Sequence, residues 1–258
     1  FRITCLSYLP GGTLLVACRY GHDFYFLDAK TANVVGLDGL GNYGESIYVT
    51  GVSGDGSLFS SLSEEGTVRL WDTLERKEKR SWGDESVVAS LATQGSQRVV
   101  LSTSDGDIQV WDATKGVTAH LRGVNQRPTK AALEPGGKYL AAAYREGTVD
   151  IWTLGVNPVR TTLPKSDDQA SIVGMTFDRG MSALVVAYAD GTITGWTLDG
   201  QHSFDCDTGS KSVSAVGFDS QANEAAVAEG SDIQIWDLGK KKLRGVLHAS
   251  DSVTAISF

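Results

Sequence analysis

"SDGDIQVWDATKG", residues 104–116, gathers Asp105, Asp107 and Asp112 with two glycines, a tryptophan and a lysine. Ile108 and Val110 alternate with Gln109 and Trp111, the period of two that a strand requires. Gly106 precedes the alternation, where a tight turn calls for positive φ. The stretch therefore reads either as a cluster of acidic ligands or as a turn leading into a strand, and recurrence decides between them.

The pattern returns as "EEGTVRLWDTLERK" from Glu64, "REGTVDIWTLG" from Arg145, "ADGTITGWTLDG" from Ala189 and "EGSDIQIWDLGKKK" from Glu229, with "RYGHDFYFLDAKT" from Arg19 as a looser sixth copy. The anchor positions are Leu27, Trp71, Trp111, Trp152, Trp196 and Trp236, in steps of 44, 40, 41, 44 and 40 residues. Only Trp82 lies outside this series. Apolar, small-residue runs precede each copy ("RVVLSTS", "KYLAAAYR", "SALVVAYA"), and a further set precedes those ("VVASLAT", "TKAALEP", "IVGMTFD", "VSAVGFD", "VTAISF"). With "VVGLDG" and "LRGVLH" after the anchor strand, each unit of about 40 residues holds four short strands. A sheet of that size cannot cover both of its faces, so neighbouring units must cover them.

On these residues the chain resembles the WD-repeat β-propeller family over essentially its whole length. Trp71-Asp72, Trp111-Asp112 and Trp236-Asp237 match the signature dipeptide literally. The resemblance implies an all-β propeller of four-stranded antiparallel blades. It also implies a hydrogen-bonded set of turn Asp, Ser/Thr, His and Trp in each blade. Thr103, Asp105 and Trp111 keep three members, while Leu62, Tyr144, Tyr188 and Ala228 are read at the hydroxyl position elsewhere, and Glu65 and Glu146 replace the Asp. The loop that should bring the His reads Gly123-Val124 in one repeat, and only His248 falls near that position. Trp71, Trp111, Trp152, Trp196, Trp236, Thr103 and Asp105 are accordingly expected to be structural.

The repeats run approximately 1–40, 41–84, 85–125, 126–168, 169–210 and 211–249, and 250–258 forms the first strand of a further blade. Six complete repeats plus one strand fit part of a seven-bladed propeller or of a tandem pair. The chain is thus expected to be a fragment of a longer one.

Composition narrows the functional classes. With 30 glycines against 5 prolines, tight turns dominate over long helices. A formal net charge of −8 argues against a chain built as a whole to bind phosphate backbones. Cys5, Cys18 and Cys206 form no CxxC pair, so neither a disulfide framework nor a zinc site is expected. His22, His120, His202 and His248 show no close pairing, no serine sits in a GxSxG elbow, and "GLDGLGNYG", residues 36–44, lacks the Lys-Ser/Thr of a phosphate loop. No catalytic residue, cofactor or metal site is nominated. No apolar run approaches the roughly 18 residues that span a bilayer and no secretory signal is evident, so an intracellular location, nuclear, nucleolar or cytoplasmic, is expected.

Function is then sought where the copies differ. By repeat position, one rim of the ring carries Arg19, Tyr20, Glu64, Asp84, Ser104, Arg127, Arg145, Asp168, Lys211 and Asp251, candidates for partner binding. On the opposite face two basic runs, Arg76, Lys77, Lys79 and Arg80, and Lys240, Lys241 and Lys242, are read as loops able to touch RNA phosphate or an acidic peptide. The expectation is a non-enzymatic scaffold bound to other proteins, with no membrane and no small-molecule substrate. Residues 78–112 also resemble WD-repeat subunits of the nucleolar small-subunit processome, which implies a role in ribosome biogenesis. The competing reading is a ubiquitin-ligase substrate receptor or peptide-tail reader.

Overall fold

The computed structural model describes residues 3–8, 14–19, 23–36, 47–52, 57–63, 66–83, 87–94, 98–103, 105–112, 115–122, 126–164, 170–178, 183–219, 221–254 and 256. Among them, twenty-four strands form six antiparallel four-stranded sheets, each a meander in chain order. The first sheet contains β1 (Ile3–Tyr8), β2 (Leu14–Arg19), β3 (Asp23–Asp28) and β4 (Val34–Gly36); the second, β5 (Ile47–Val52), β6 (Leu58–Ser63), β7 (Thr67–Asp72) and β8 (Lys77–Gly83). The third contains β9 (Val87–Gln94), β10 (Arg98–Thr103), β11 (Asp107–Asp112) and β12 (Gly116–Arg122). β13 (Pro128–Leu133), β14 (Tyr139–Tyr144), β15 (Val149–Thr153) and β16 (Val159–Thr162) form the fourth. β17 (Ile172–Phe177), β18 (Ala183–Tyr188), β19 (Thr192–Thr197) and β20 (His202–Asp207) form the fifth, and β21 (Ala215–Phe218), β22 (Glu224–Glu229), β23 (Asp232–Asp237) and β24 (Lys242–His248) the sixth. The fold is all-β and its four-stranded antiparallel sheets are consistent with propeller blades; the chain divides into two compact units, Phe1–Arg127 and Pro128–Phe258, of three sheets each.

Inside each unit the sheets stack by one rule. The first strands lie side by side, β1 by β5 and β5 by β9 in one unit, β13 by β17 and β17 by β21 in the other. Every anchor tryptophan whose neighbours are described faces the preceding sheet. Trp71 stacks on Phe59 at 5.9 Å between ring centres, and Phe59 meets Phe26 of the first sheet edge-on at 6.0 Å. Trp111 packs against Leu58, Leu62, Val68 and Leu70 of the second sheet. Trp196 packs with Ala141, Val149 and Ile151 of the fourth, and Trp236 with Val185, Ile193 and Cys206 of the fifth. Each such large side chain removed from water stabilises the unit by about 1.5–3 kcal/mol. Trp82, outside the repeat series, lies in the β8 position that faces the next sheet, 5.1 Å from Trp111.

Two details depart from the sequence reading. The second strand ends on Ser63, Thr103, Tyr144, Tyr188 or Glu229 in successive sheets, so the hydroxyl position belongs to Ser63 and Glu229 rather than to Leu62 and Ala228. Leu62 points into sheet-to-sheet packing instead, and both it and Ala228 are buried. The indole N–H groups also bypass the expected set. Trp111 Nε1 donates to Gln109 Oε1 at 2.8 Å, Trp196 to Thr194 Oγ1 at 2.7 Å and Trp236 to Gln234 Oε1 at 2.8 Å. Trp71 reaches across to Ser61 Oγ at 2.8 Å. The signal was a polar residue two places before the tryptophan, on the same face of the strand.

Gly191 shows why glycine recurs in these turns. It has φ +88°, and an added Cβ would lie 2.6 Å from the Ser210 carbonyl oxygen and 2.7 Å from Thr208 Oγ1. Gly191→Ala is expected to lower the unfolding free energy by at least about 1–2 kcal/mol, read from the urea midpoint. Ser61→Ala leaves the buried Trp71 N–H without its acceptor. A loss of about 1–3 kcal/mol is expected, and an unchanged midpoint would show that the bond contributes nothing.

Candidate functional site

The antiparallel meander gives each sheet two unlike ends. The start of its first strand, the turn between its second and third strands and the exit of its fourth lie at one end; the other two turns lie at the opposite end.

At the second end, the acidic residue after the anchor position braces the turn between third and fourth strands. Asp28 Oδ1 accepts the backbone N–H groups of Lys30 and Thr31, both at 2.9 Å. Asp72 does the same for Leu74 and Glu75 at 2.9 Å, Asp112 for Lys115 at 3.2 Å and Asp237 for Lys240 at 2.9 Å. Three of these carboxylates are held below their ordinary value of 3.8, Asp28 chiefly by the Thr31 N–H, Asp72 by the Glu75 N–H and Asp237 by the Lys240 N–H. At the first end the Thr103 hydroxyl donates to Asp105 and holds that carboxyl low in the same way. Asp105 and Asp112 of the opening motif are turn braces, while Asp107 accepts the Arg122 Nε–H at 3.0 Å across the β11–β12 pair.

The basic runs lie at the braced end, but not as loops. Lys77, Lys79 and Arg80 belong to β8 and Lys242 opens β24; only Arg76, Lys240 and Lys241 sit in turns. The runs are correspondingly engaged by their own sheets. Arg76 lies 5.5 Å over the Phe26 ring and Arg80 5.7 Å over Trp82, Lys79 Nζ is 3.0 Å from Asp72 Oδ2 and Lys240 Nζ 3.1 Å from Asp237 Oδ2. Lys77, Lys241 and Lys242 remain exposed. Lys241 has φ 51° and Arg76 φ 54°, at the turn position that Gly116 fills in the third sheet with φ 85°.

Of the rim candidates at the first end, Arg127, Arg145, Lys211 and Asp251 are exposed. Arg145 rides on the turn closed by Gly147 N–H to the Tyr144 carbonyl, 3.0 Å. The backbone N–H groups of Lys211 and Ser212 both donate to Glu229 Oε1 at 3.0 Å, tying the entrance of the sixth sheet to its own turn. Asp251 Oδ1 accepts the Ser252 N–H at 2.7 Å. Arg19 ends β2. Tyr20, Glu64, Asp84, Ser104 and Asp168 lie outside the described residues.

A cleft of about 340 Å³ opens on the first strands of the second unit, walled by Lys130, Val173, Met175, Val216, Phe218 and Ile256. It is lined by no carboxylate, histidine or cysteine. Two titratable groups are shifted upward: burial pushes the Tyr144 phenol up, reinforced by Asp150, and burial pushes the Cys206 thiol up. Among the described residues no three His, Cys, Asp or Glu gather as a metal would require, and no helix is long and apolar enough to cross a membrane.

Comparison with known proteins agrees with this geometry. The family "WD domain, G-beta repeat" matches residues 41–72. Protein LST8 homolog of Drosophila pseudoobscura pseudoobscura is 27% identical over 207 residues, 76% of this chain and 65% of that protein. Target of rapamycin complex subunit LST8 of Bos taurus is 24% identical over 162 residues, 59% of this chain and 48% of its own. Small ribosomal subunit protein RACK1 of Medicago sativa is 28% identical over 133 residues, 43% and 41% respectively. The chain thus spans less than two thirds of the length of each of these relatives.

The lowered carboxylates carry a pH signature. A folded-state value below the ordinary one stabilises the fold above about pH 4, and that contribution disappears as pH falls through the folded values. The thermal midpoint is expected to hold near neutrality and to drop on acidification below about pH 4. In Asp72→Asn/Asp237→Asn the drop should be smaller; an equal drop would show that these braces do not carry it.

Proposed function

We propose that this chain of WD repeats is a non-catalytic scaffold, an intracellular subunit of a multiprotein or ribonucleoprotein assembly, gripping partners through exposed turn residues that differ from sheet to sheet. The observation that carries the proposal is Lys241. A non-glycine residue in the left-handed region costs about 1–2 kcal/mol, and glycine serves at the corresponding turn of the third sheet. Lys241 is exposed at that position, so the fold bears the strain without a packing return from the ammonium group. Ala32 and Arg76 take the same conformation at the same turn position, φ 55° and 54°, so it is the exposed charge presented there, rather than the strain, that points to a use outside the fold.

The division of labour among residues supports the same reading. The repeated tryptophans and acids are consumed by packing and turn bracing, which leaves them no chemistry to spare. Relatives named as a target of rapamycin complex subunit and as a small ribosomal subunit protein are, by those names, parts of assemblies. Lys77 supplies positive charge at the braced end of the second sheet, and Lys241 and Lys242 at that of the sixth, each suited to an acidic peptide or to RNA phosphate. The RNA alternative extends the proposal to ribosome biogenesis in the nucleolus.

The full chain, affinity-captured from its own cells with and without ribonuclease, provides the test. Lys77→Glu/Lys241→Glu/Lys242→Glu is expected to lose at least about tenfold of a defined partner set, whereas Lys241→Gly alone stabilises the protein and loses part of it. Loss on ribonuclease treatment assigns the contact to RNA, and survival assigns it to protein. Partners unchanged by the triple variant would overturn the assignment of this end.

A further inference from the structure

Three turns among the described residues pair an aspartate with a following glycine: Asp105-Gly106, Asp190-Gly191 and Asp199-Gly200. Such a pair is open to a reaction that needs no enzyme. The glycine nitrogen attacks the aspartate Cγ, an N–Cγ bond forms, and a carboxyl oxygen leaves as water. Water then opens the succinimide ring. Attack on the original backbone carbonyl leaves the chain running through the side-chain carbon, an isoaspartate with one more backbone carbon and an unchanged atomic composition. Glycine permits the approach because it carries no side chain to obstruct it. The reaction stays slow while the amide nitrogen keeps its planar delocalisation and the carboxylate, a poor electrophile, stays ionised.

All three turns hold the attacking nitrogen in the same way. The glycine N–H donates to the carbonyl three residues earlier, Gly106 to Thr103 at 3.1 Å, Gly191 to Tyr188 at 3.1 Å and Gly200 to Thr197 at 2.9 Å. The carboxylates are held differently. Asp190 Oδ1 accepts the Thr192 N–H at 2.9 Å, whereas Asp105 and Asp199 each accept the hydroxyl of a threonine two places earlier. In these two turns a single threonine thus holds both reacting groups, the N–H by its carbonyl and the carboxylate by its hydroxyl. Thr197 is the main cause that keeps the Asp199 carboxyl below its ordinary value. Its oxygen also accepts the Gln201 N–H at 3.0 Å, and the Gln201 carbonyl, 3.1 Å away, is the alternative acceptor for its proton.

The surroundings separate the three bonds. Ring closure twists the peptide plane and displaces the glycine, so it requires room there. A Cβ at Gly106 would lie 3.0 Å from the Gln126 carbonyl oxygen, and one at Gly191 2.6 Å from that of Ser210; both are walls of backbone. At Gly200 the nearest atoms are the ends of side chains, Thr161 Cγ2 at 2.9 Å and Leu163 Cδ2 at 3.7 Å, which can give way. Asp199 is exposed as well, while Asp190 is half buried. We propose that Asp199-Gly200 is the one of these three bonds at which the chain forms isoaspartate, and that the Thr197 hydroxyl sets the rate by occupying the carboxylate. The added carbon would fall inside the hairpin between β19 and β20, which the Thr197 N–H closes on the Gln201 carbonyl at 2.8 Å. This chemistry belongs to the turn itself and holds whatever the chain binds.

The test ages the 258-residue chain at neutral pH and counts isoaspartate peptide by peptide, by electron-transfer fragmentation, which distinguishes the two isomers. Expected is faster accumulation at Asp199 than at Asp105 or Asp190. Thr197→Val should accelerate it about three- to tenfold, the factor one hydrogen bond is worth. Thr197→Ser, which returns the hydroxyl, should restore the parent rate. Should Thr197→Val unsettle the hairpin, the ranking of the three bonds in the unsubstituted chain still decides, together with an unstructured peptide of residues 194–205, in which Asp199 must react faster than in the folded chain. Equal accumulation at the three bonds, a peptide no faster than the folded chain, or a Thr197→Ser rate matching that of Thr197→Val would each overturn the proposal.

Discussion

A four-stranded sheet of six-residue strands has two apolar faces and nothing of its own to cover either. That constraint organises the molecule. Ala141, Ala143, Val149 and Ile151 are buried because the Trp196 face of the fifth sheet lies on them, and Val185, Ala187 and Ile193 because the Trp236 face of the sixth does. Small residues in the second strands and a large aromatic in the third are two halves of one solution, since close approach at the inner strands is compatible with a bulky wedge further out. Gly174 shows the tightness of the inner half: a Cβ there would meet Val216 of the next sheet.

Most of the polar groups described in these interfaces are satisfied locally, while Trp82 Nε1 is buried without a hydrogen-bond partner. An indole N–H that donates two residues back along its own strand does not depend on a loop from elsewhere. This frees the entrance loops from the duty of carrying a histidine and lets them vary. A buried carboxylate is handled in the same way: Asp150 accepts the Thr162 hydroxyl at 2.5 Å and lies 3.7 Å from Arg160, both on the adjacent strand of its own sheet.

How far the sequence was legible follows from this physics. The spacing of the tryptophans and the two-residue alternation disclosed the sheets because burial acts on every repeat alike. The hydroxyl position was misplaced at Leu62 and Ala228, since a one-residue slip in a strand exchanges its faces and the turn of the sixth sheet is a residue shorter than that of the third. The basic runs were taken for loops because charge alone does not separate a turn from an exposed outer strand, whose seven residues from Lys242 to His248 are all exposed. The rim residues share no physical requirement that sequence could betray; beside them Glu229, which was not among the candidates, holds two backbone N–H groups of the entrance loop.

The meander topology also governs how the fold can be reached. Every strand pairs only with its neighbours in sequence among the described residues, so the loops that must close to form a sheet are short and the entropy of closing them is small. Within each unit, contact between sheets then joins elements one repeat apart. Assembly can consequently proceed sheet by sheet in the order of synthesis, each completed meander offering its uncovered apolar face as the template on which the next is laid.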